Sequence, residues 1–417
     1  MPCEFLSSTV MLGGSTARAV LKERPVFGIS RRTPRAPRAS IVAAVALGVA
    51  VAVAVPTSAS AIPIIVINPL WGSTELRDCA NASLGFASSH TITWAELDTL
   101  TSIQCEDKEI ESLSPLKYAE NLATVQLAGN WIADAAELKD LAHLSYLDLS
   151  DNSLSDLPSL TGLTALDKFY LDNNYIFDIS PLSGLKSTLS ELSLSRNAVK
   201  NVSALKSFSS INYLYIDHNQ ITNIDGLDDV VDNATVFNGR YQAIWAPATT
   251  INKSIALPTV KSATGATVTL SVAKKFEDGT KAVPGKLSSN KKSIKWSKVG
   301  SGAAQWSSAV PIAGSDTGTF SGYYARDVFK KMTAKTPKIT GTAKVGKTLK
   351  ASAKGWTSGV SKWYEWKSDG KSVKYGQSSK YKLKASDKGH TITVTVTGYK
   401  TNYLEVTKKS KATKKVK

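Results

Sequence analysis

The segment LSYLDLSDNSL, Leu144 to Leu154, places leucine first, fourth and sixth and asparagine ninth. Four more segments keep this spacing: LATVQLAGNWI from Leu122, LDKFYLDNNYI from Leu166, LSELSLSRNAV from Leu189 and INYLYIDHNQI from Ile211. The asparagines fall at Asn130, Asn152, Asn174, Asn197 and Asn219, in steps of 22, 22, 23 and 22 residues, with one extra residue near Ser187. A fixed period of this length means that each repeat is one small unit stacked on its neighbours.

Each place in the template has a physical task. Alternating apolar residues such as Leu147 and Leu149 form a short strand whose inner side joins a common core, while the residues between them face solvent. The asparagine turns the chain out of the strand, and its amide can pair with coil backbone that would otherwise be buried unpaired. A second apolar set closes the opposite side: Leu157, Leu160 and Leu163 in one repeat, Ile179, Leu182 and Leu185 in the next. The predicted fold for residues 119–241 is an α/β leucine-rich-repeat solenoid, a short horseshoe with one structural asparagine column.

An open stack needs closed ends. Residues 62–118 read as a helical N-terminal cap with a degenerate repeat. Glu75–Leu84 reads as a helix stopped at Gly85, Thr93-Trp94-Ala95-Glu96 has capping-box spacing, and Ile110, Leu113, Pro115 and Leu116 supply the degenerate repeat. Residues 1–61 have the order of a secretory signal peptide: Arg31, Arg32, Arg35 and Arg38, an apolar run from Ile41 to Val55, then Ala59-Ser60-Ala61. The 15 apolar residues fall short of the roughly 20 that a spanning helix needs. Cleavage after Ala61 is therefore expected, with retention as an anchor the alternative. Export would leave Cys79 and Cys105 in an oxidising compartment, where one disulfide is expected; two buried free thiols are the alternative. Neither a second apolar segment nor an LPxTG signal occurs near the C-terminus, so no anchor is expected there and the mature chain should not span a membrane.

The 22-residue repeats, the phrase Ile179-Ser180-Pro181-Leu182 and the helical N-terminal segment resemble the internalin-type bacterial leucine-rich-repeat proteins. Beyond Asn219 the period fails. Phe237–Trp245, the alternating TGATVTLSV at Thr264–Val272 and Gly318-Thr319-Phe320-Ser321-Gly322 are similar to the Ig-like domain that follows the repeats in that family, here placed at 242–330. Residues 331–417 read as a second all-β Ig-like unit. It resembles a surface repeat of secreted actinobacterial-type proteins, in which VGKTL, a Y-x-W strand and I-T-V-x-V-T recur. Trp366, Ile392, Val394 and Val396 would be its core. The resemblance implies a secreted or cell-wall-associated adhesion molecule and no enzyme.

Charge is segregated. Residues 62–241 hold 10 Lys+Arg against 24 Asp+Glu, whereas residues 330–417 hold 23 against 4, within a chain of net +17. The basic end invites nucleic acid, but its lysines are spread along alternating strands and export argues against that partner. Cell-wall or surface polyanions fit better, with a merely solubilising charge as the alternative. Gly341–Thr348 matches the P-loop letter for letter, yet the residues after it alternate like a strand, so a hairpin turn is expected. His90, His143, His218 and His390 lack metal-ligand spacing, so no metal or cofactor is expected; His218 is expected at the surface. No G-x-S-x-G elbow occurs. A cell-wall hydrolase using a carboxylate pair among the many acids stays open as the competing class.

The template also lists the outward strand positions. They are Thr124, Gln126 and Ala128; Tyr146, Asp148 and Ser150; Lys168, Tyr170 and Asp172; Glu191, Ser193 and Ser195; Tyr213, Tyr215 and Asp217. Four tyrosines among acids are more aromatic than a solvated face needs, which suggests an interface. Cross-strand tyrosine pairs that only brace the sheet are the alternative. Tyr146, Asp148, Lys168, Tyr170, Asp172, Glu191, Tyr213, Tyr215 and Asp217 are the candidate contacts for a protein or glycan ligand, on a chain expected to be a monomer.

Overall fold

The computed structural model describes residues 68–313 and 317–417, which form two compact units, 68–329 and 330–417. The expected signal peptide at 1–61 lies outside the described residues.

Each of the five repeats gives one three-residue strand: β2 Thr124–Gln126, β3 Tyr146–Asp148, β4 Lys168–Tyr170, β5 Glu191–Ser193 and β6 Tyr213–Tyr215. β1 Ser102–Gln104 precedes them and β7 Val236–Trp245 follows. Neighbours pair in parallel one repeat apart, so Thr124, Tyr146, Lys168, Glu191, Tyr213 and Val236 form one row. The middle residues Val125, Leu147, Phe169, Leu192 and Leu214 are buried. Their continuous core extends from Leu76 to Val328. Between strands the chain returns through short 3-10 turns, such as Ala136–Leu138, Ser180–Leu185 and Ser203–Ser207. A 22-residue coil leaves too little chain for an α-helix in each return, and the tighter turn fits.

α1 Thr74–Ser83 starts one residue before the expected helix, because the Ser73 side chain accepts a hydrogen bond from the Leu76 amide. α2 Trp94–Asp98 has both bonds of the Thr93/Glu96 capping box. α1 buries Leu76 and Ala80, and its Cys79 is disulfide-bonded to Cys105 with their Cα atoms 5.8 Å apart.

β7 pairs with β6 on one edge and, also in parallel, with Thr317–Phe329 on the other. Gly300–Pro311 and then Ser271–Val272 continue the same sheet antiparallel. The boundary expected at 241/242 thus falls inside a strand. Ala234-x-x-Phe237-x-Gly239-x-x-Gln242-x-Ile244 is the repeat template once more, with glutamine in the place of asparagine.

The 330–417 unit has two antiparallel sheets. One contains Lys338–Thr340, Thr348–Ser352 and Lys380–Lys382; the other has the order Lys371–Gly376, Ser361–Ser368, Ile392–Tyr399, Val406–Lys409. Leu349, Trp366, Ile392, Val394 and Val396 are fully buried in its core. The P-loop-like stretch turns at Gly346, φ 80°, into the strand beginning at Thr348. No helix follows to present amides to a phosphate.

Candidate binding face of the repeat stack

The asparagine column is internal and saturated. The Asn152 side-chain oxygen accepts the Ile132 amide at 3.0 Å, while its nitrogen donates to the carbonyls of Leu127 at 2.9 Å and Leu149 at 3.1 Å. Asn174 repeats this with the Leu154 amide and the Leu149 and Leu171 carbonyls. Asn130, Asn197 and Asn219 do the same one repeat along. Each amide thereby ties two consecutive coils and pairs backbone groups that the turn would otherwise bury. Gln242 occupies the next rung: it accepts the Ile221 amide and donates to the Ile216 carbonyl at 2.8 Å.

To aim these amides inward, the preceding residue adopts a left-handed conformation. Gly129, Asp151, Asn173, Arg196, His218 and Tyr241 all do so, with φ between 53° and 74°. At Gly129 a side chain would also collide with Asp107. Tyr241 is a bulky residue for that region; it lies against the His218 ring, centroids 4.9 Å apart.

The strand face lies beside this column. Tyr146 and Tyr170 pack with ring centroids 5.4 Å apart, and Lys168 and Glu191 pair at 3.5 Å in the neighbouring strands. Tyr213 is 39% exposed, and Tyr146, Asp148, Tyr170, Glu191 and Tyr215 are half-buried. Burial pushes the hydroxyls of Tyr146, Tyr170 and Tyr215 above the ordinary phenol range, with Glu191 hydrogen-bonded to Tyr170 adding to the effect there. The hydroxyls therefore stay protonated near neutrality and can both donate and accept. The result is a broad amphipathic surface with acidic neighbours.

The third outward row behaves differently. Asp172 accepts the Ser193 hydroxyl at 2.5 Å and the Ser195 amide at 2.7 Å. Ser195 donates to Asp217 at 2.7 Å, and Asn238 donates to the same Asp217 oxygen at 3.0 Å. His218 bridges Asp217 at 2.6 Å and Glu277 at 3.0 Å, with its side chain only 8% exposed. The surface position expected for His218 is thus corrected: Glu277, from the segment after the repeats, closes over it. Burial disfavours the charged imidazole, but hydrogen bonds to Asp217 and Glu277 outweigh it and raise the His218 pKa. Burial likewise pushes Asp217 up, and hydrogen bonds from His218 and Ser195 more than reverse this; Asp172 is raised chiefly by burial. Two carboxyls moved apart can signal acid–base chemistry. Here both accept internal hydrogen bonds, and Ser195 donates to a carboxylate instead of to an imidazole, which is the wrong order for a serine nucleophile.

Three elements of this edge depart from the repeat template and do not stand out in the sequence. Gln242 was legible as a template glutamine once the 23-residue step from Asn219 is allowed. Leu100-x-x-Ile103-x-Cys105 is the template at the front end, with Cys105 in its third apolar place. Glu277 carried no local signal at all. Among the described residues no cluster of His, Cys, Asp or Glu could hold a metal ion, and no helix is long and apolar enough to cross a membrane.

Residues 142–186 match the family described as leucine-rich repeats in two copies. No curated protein matches the chain. Among solved structures, internalin C2 of Listeria monocytogenes is 27% identical, with 38% of this chain and 70% of that protein covered and a TM-score of 0.36. A second internalin of Listeria monocytogenes, inlF, is 25% identical, with 41% of this chain and 51% of that one covered and a TM-score of 0.39. The chain carries leucine-rich repeats.

Proposed function

We propose that this protein is a secreted or surface-associated binding molecule of the internalin kind, whose repeat face recognises a protein or glycan. The observation that carries the proposal is the set of Tyr146, Tyr170, Tyr213 and Tyr215 in two adjacent rows of the strand face. Their rings remain partly open to solvent beside Asp148 and Glu191, while the adjacent asparagine rungs are fully paired. Tyrosine gives large contact area with a polar tip at modest entropic cost. Asp172 and Asp217 brace the edge of the face, since both are held by their neighbours.

In this reading α1, α2 and the Cys79–Cys105 bond close the front of the stack. Residues 242–330 and 331–417 are Ig-like modules, and the lysine-rich last module associates with cell-wall or surface polyanions. The protein works as a monomer without a cofactor and performs recognition, not catalysis.

The test is binding of the full chain to an array of purified cell-surface proteins and glycans, alongside a Tyr146→Ala/Tyr170→Ala/Tyr213→Ala/Tyr215→Ala variant. We expect the variant to lose the wild-type hits by about tenfold or more with little change in its melt. Retention of every hit would sink the proposal. A collapsed melt would instead make the tyrosines cross-strand braces.

A further inference from the structure

The four-stranded sheet of the 330–417 unit buries Tyr364, Trp366, Val394 and Val396 on one face. Its other face is set by the register. Ser361 lies opposite Tyr399, Trp363 opposite Thr397, Glu365 opposite both Thr395 and Tyr375, and Thr395 opposite Lys409. Opposed residues of an antiparallel pair share a side. Trp363, Tyr375 and Tyr399 therefore belong to one outward surface.

Trp363 and Tyr375 stack with centroids 5.5 Å apart and an interplanar angle of 28°. Tyr375 is 65% exposed and Tyr399 40%. A large apolar ring costs free energy when left in water, and here three share one flank of a small unit. Around them stand hydroxyls and charges: Thr397 and Thr407, whose oxygens are 3.0 Å apart, and Glu365 on Lys367 at 3.1 Å. Lys409 lies on the same side by register.

We propose that Trp363, Tyr375 and Tyr399 form a stacking platform for an acidic polysaccharide, with Lys367 and Lys409 meeting its carboxylates. The proposal rests on the polyanion reading of this unit and gives it a site. A sugar ring presents a flat C–H face that lies on an aromatic ring, and hydroxyls at its edge that threonines and a carboxylate can bond. Charge complementarity selects the acidic class, since this unit holds 23 basic residues against 4 acidic ones. All 23 are lysines, compact and flexible cations that suit diffuse carboxylates better than bidentate phosphate recognition. Glu365 beside the rings can accept a sugar hydroxyl, a donor that an internal deoxyribose of a phosphodiester chain lacks, which favours the polysaccharide over single-stranded DNA.

The experiment is affinity electrophoresis of the full chain through gels containing polygalacturonate, poly-L-glutamate or oligo-dT. Polygalacturonate should retard the protein most. Trp363→Ala and Tyr375→Ala should each weaken that retardation about tenfold, Trp363→Phe should restore it, and poly-L-glutamate retardation should be unchanged in all three. If Trp363→Ala and Tyr375→Ala bind polygalacturonate like wild type while poly-L-glutamate still binds, the platform is refuted and the polyanion reading survives. If neither polymer retards the wild type, both fall. Stronger retardation by oligo-dT than by polygalacturonate would overturn the polysaccharide assignment in favour of nucleic acid.

Discussion

The asparagine edge and the tyrosine face of the repeat stack are drawn from the same short segments, yet they treat polar atoms in opposite ways. At the edge, one residue type recurs, its side chain is buried, and its hydrogen bonds end on backbone of two coils. On the face the residue changes from repeat to repeat, from Thr124 to Tyr146, Lys168, Glu191 and Tyr213, and the side chains stay at least partly in water. Constancy across repeats marks what the stack requires of every coil. Variation at a fixed place marks what the stack leaves free, and the tyrosine-rich place among these is where we propose that recognition occurs.

The largest effect should come from breaking the constant edge. Asn174→Ala leaves the Leu154 amide without its partner and takes one of two amide donors from each of the Leu149 and Leu171 carbonyls, which should cost on the order of 3 kcal/mol in chemical denaturation. Gln242→Ala should cost a similar amount, because its bonds to Ile221 and Ile216 are of the same kind. A loss well below 1 kcal/mol for Gln242→Ala alone would place the end of the ladder at Asn219.

Reduction of Cys79–Cys105 comes next. The bond spans 26 residues, and opening such a loop should remove about 3 kcal/mol by the chain-entropy estimate. The carbonyl of Cys105 also receives the Asn130 amide, so the first rung should loosen with it. Faster amide exchange at Ile110 than at Leu154 in the reduced protein would show this; equal exchange would uncouple the bond from the ladder.

A smaller, pH-dependent effect belongs to the junction of edge and face. The His218 pKa is raised in the folded chain, so its stabilisation is fully present below the unfolded value of about 6.5 and is lost as pH rises through the folded value. The groups facing it are Asp217, Glu277, Tyr241 and, through its charge, Arg196. The wild-type melting temperature should therefore fall across that window, and His218→Gln should flatten the fall. An identical slope in the variant would assign the pH response to other groups.

Tyr213→Ala should have the smallest effect, within about 0.5 kcal/mol, as for an exposed side chain away from any cap or network. A loss comparable to that of Asn174→Ala would erase the distinction between edge and face.

Much of this was legible without coordinates. The period, the strand positions, the asparagine column and the core of the last unit follow from local spacing, since each repeat must offer the same apolar pattern to its neighbour. Trp366, Ile392, Val394 and Val396 lie in that core because strand alternation places every second residue on one side. The front end was harder to read, because Cys105 and Lys108 stand where the template has leucine and asparagine.

The sequence alone determined a stack of repeats with a constant inner edge and a variable outer face. Only the tertiary structure decided that Asp172 and Asp217 are held by hydrogen bonds from the next coils while Tyr213 remains open, and that β7 carries the sheet and its amide ladder past residue 241. It also brought Glu277 to His218 across 59 residues of chain. The reason is one of range. Apolar spacing acts between neighbouring positions and can be counted along the chain, whereas the burial of one carboxylate depends on which hydroxyl or imidazole the next coil happens to place against it.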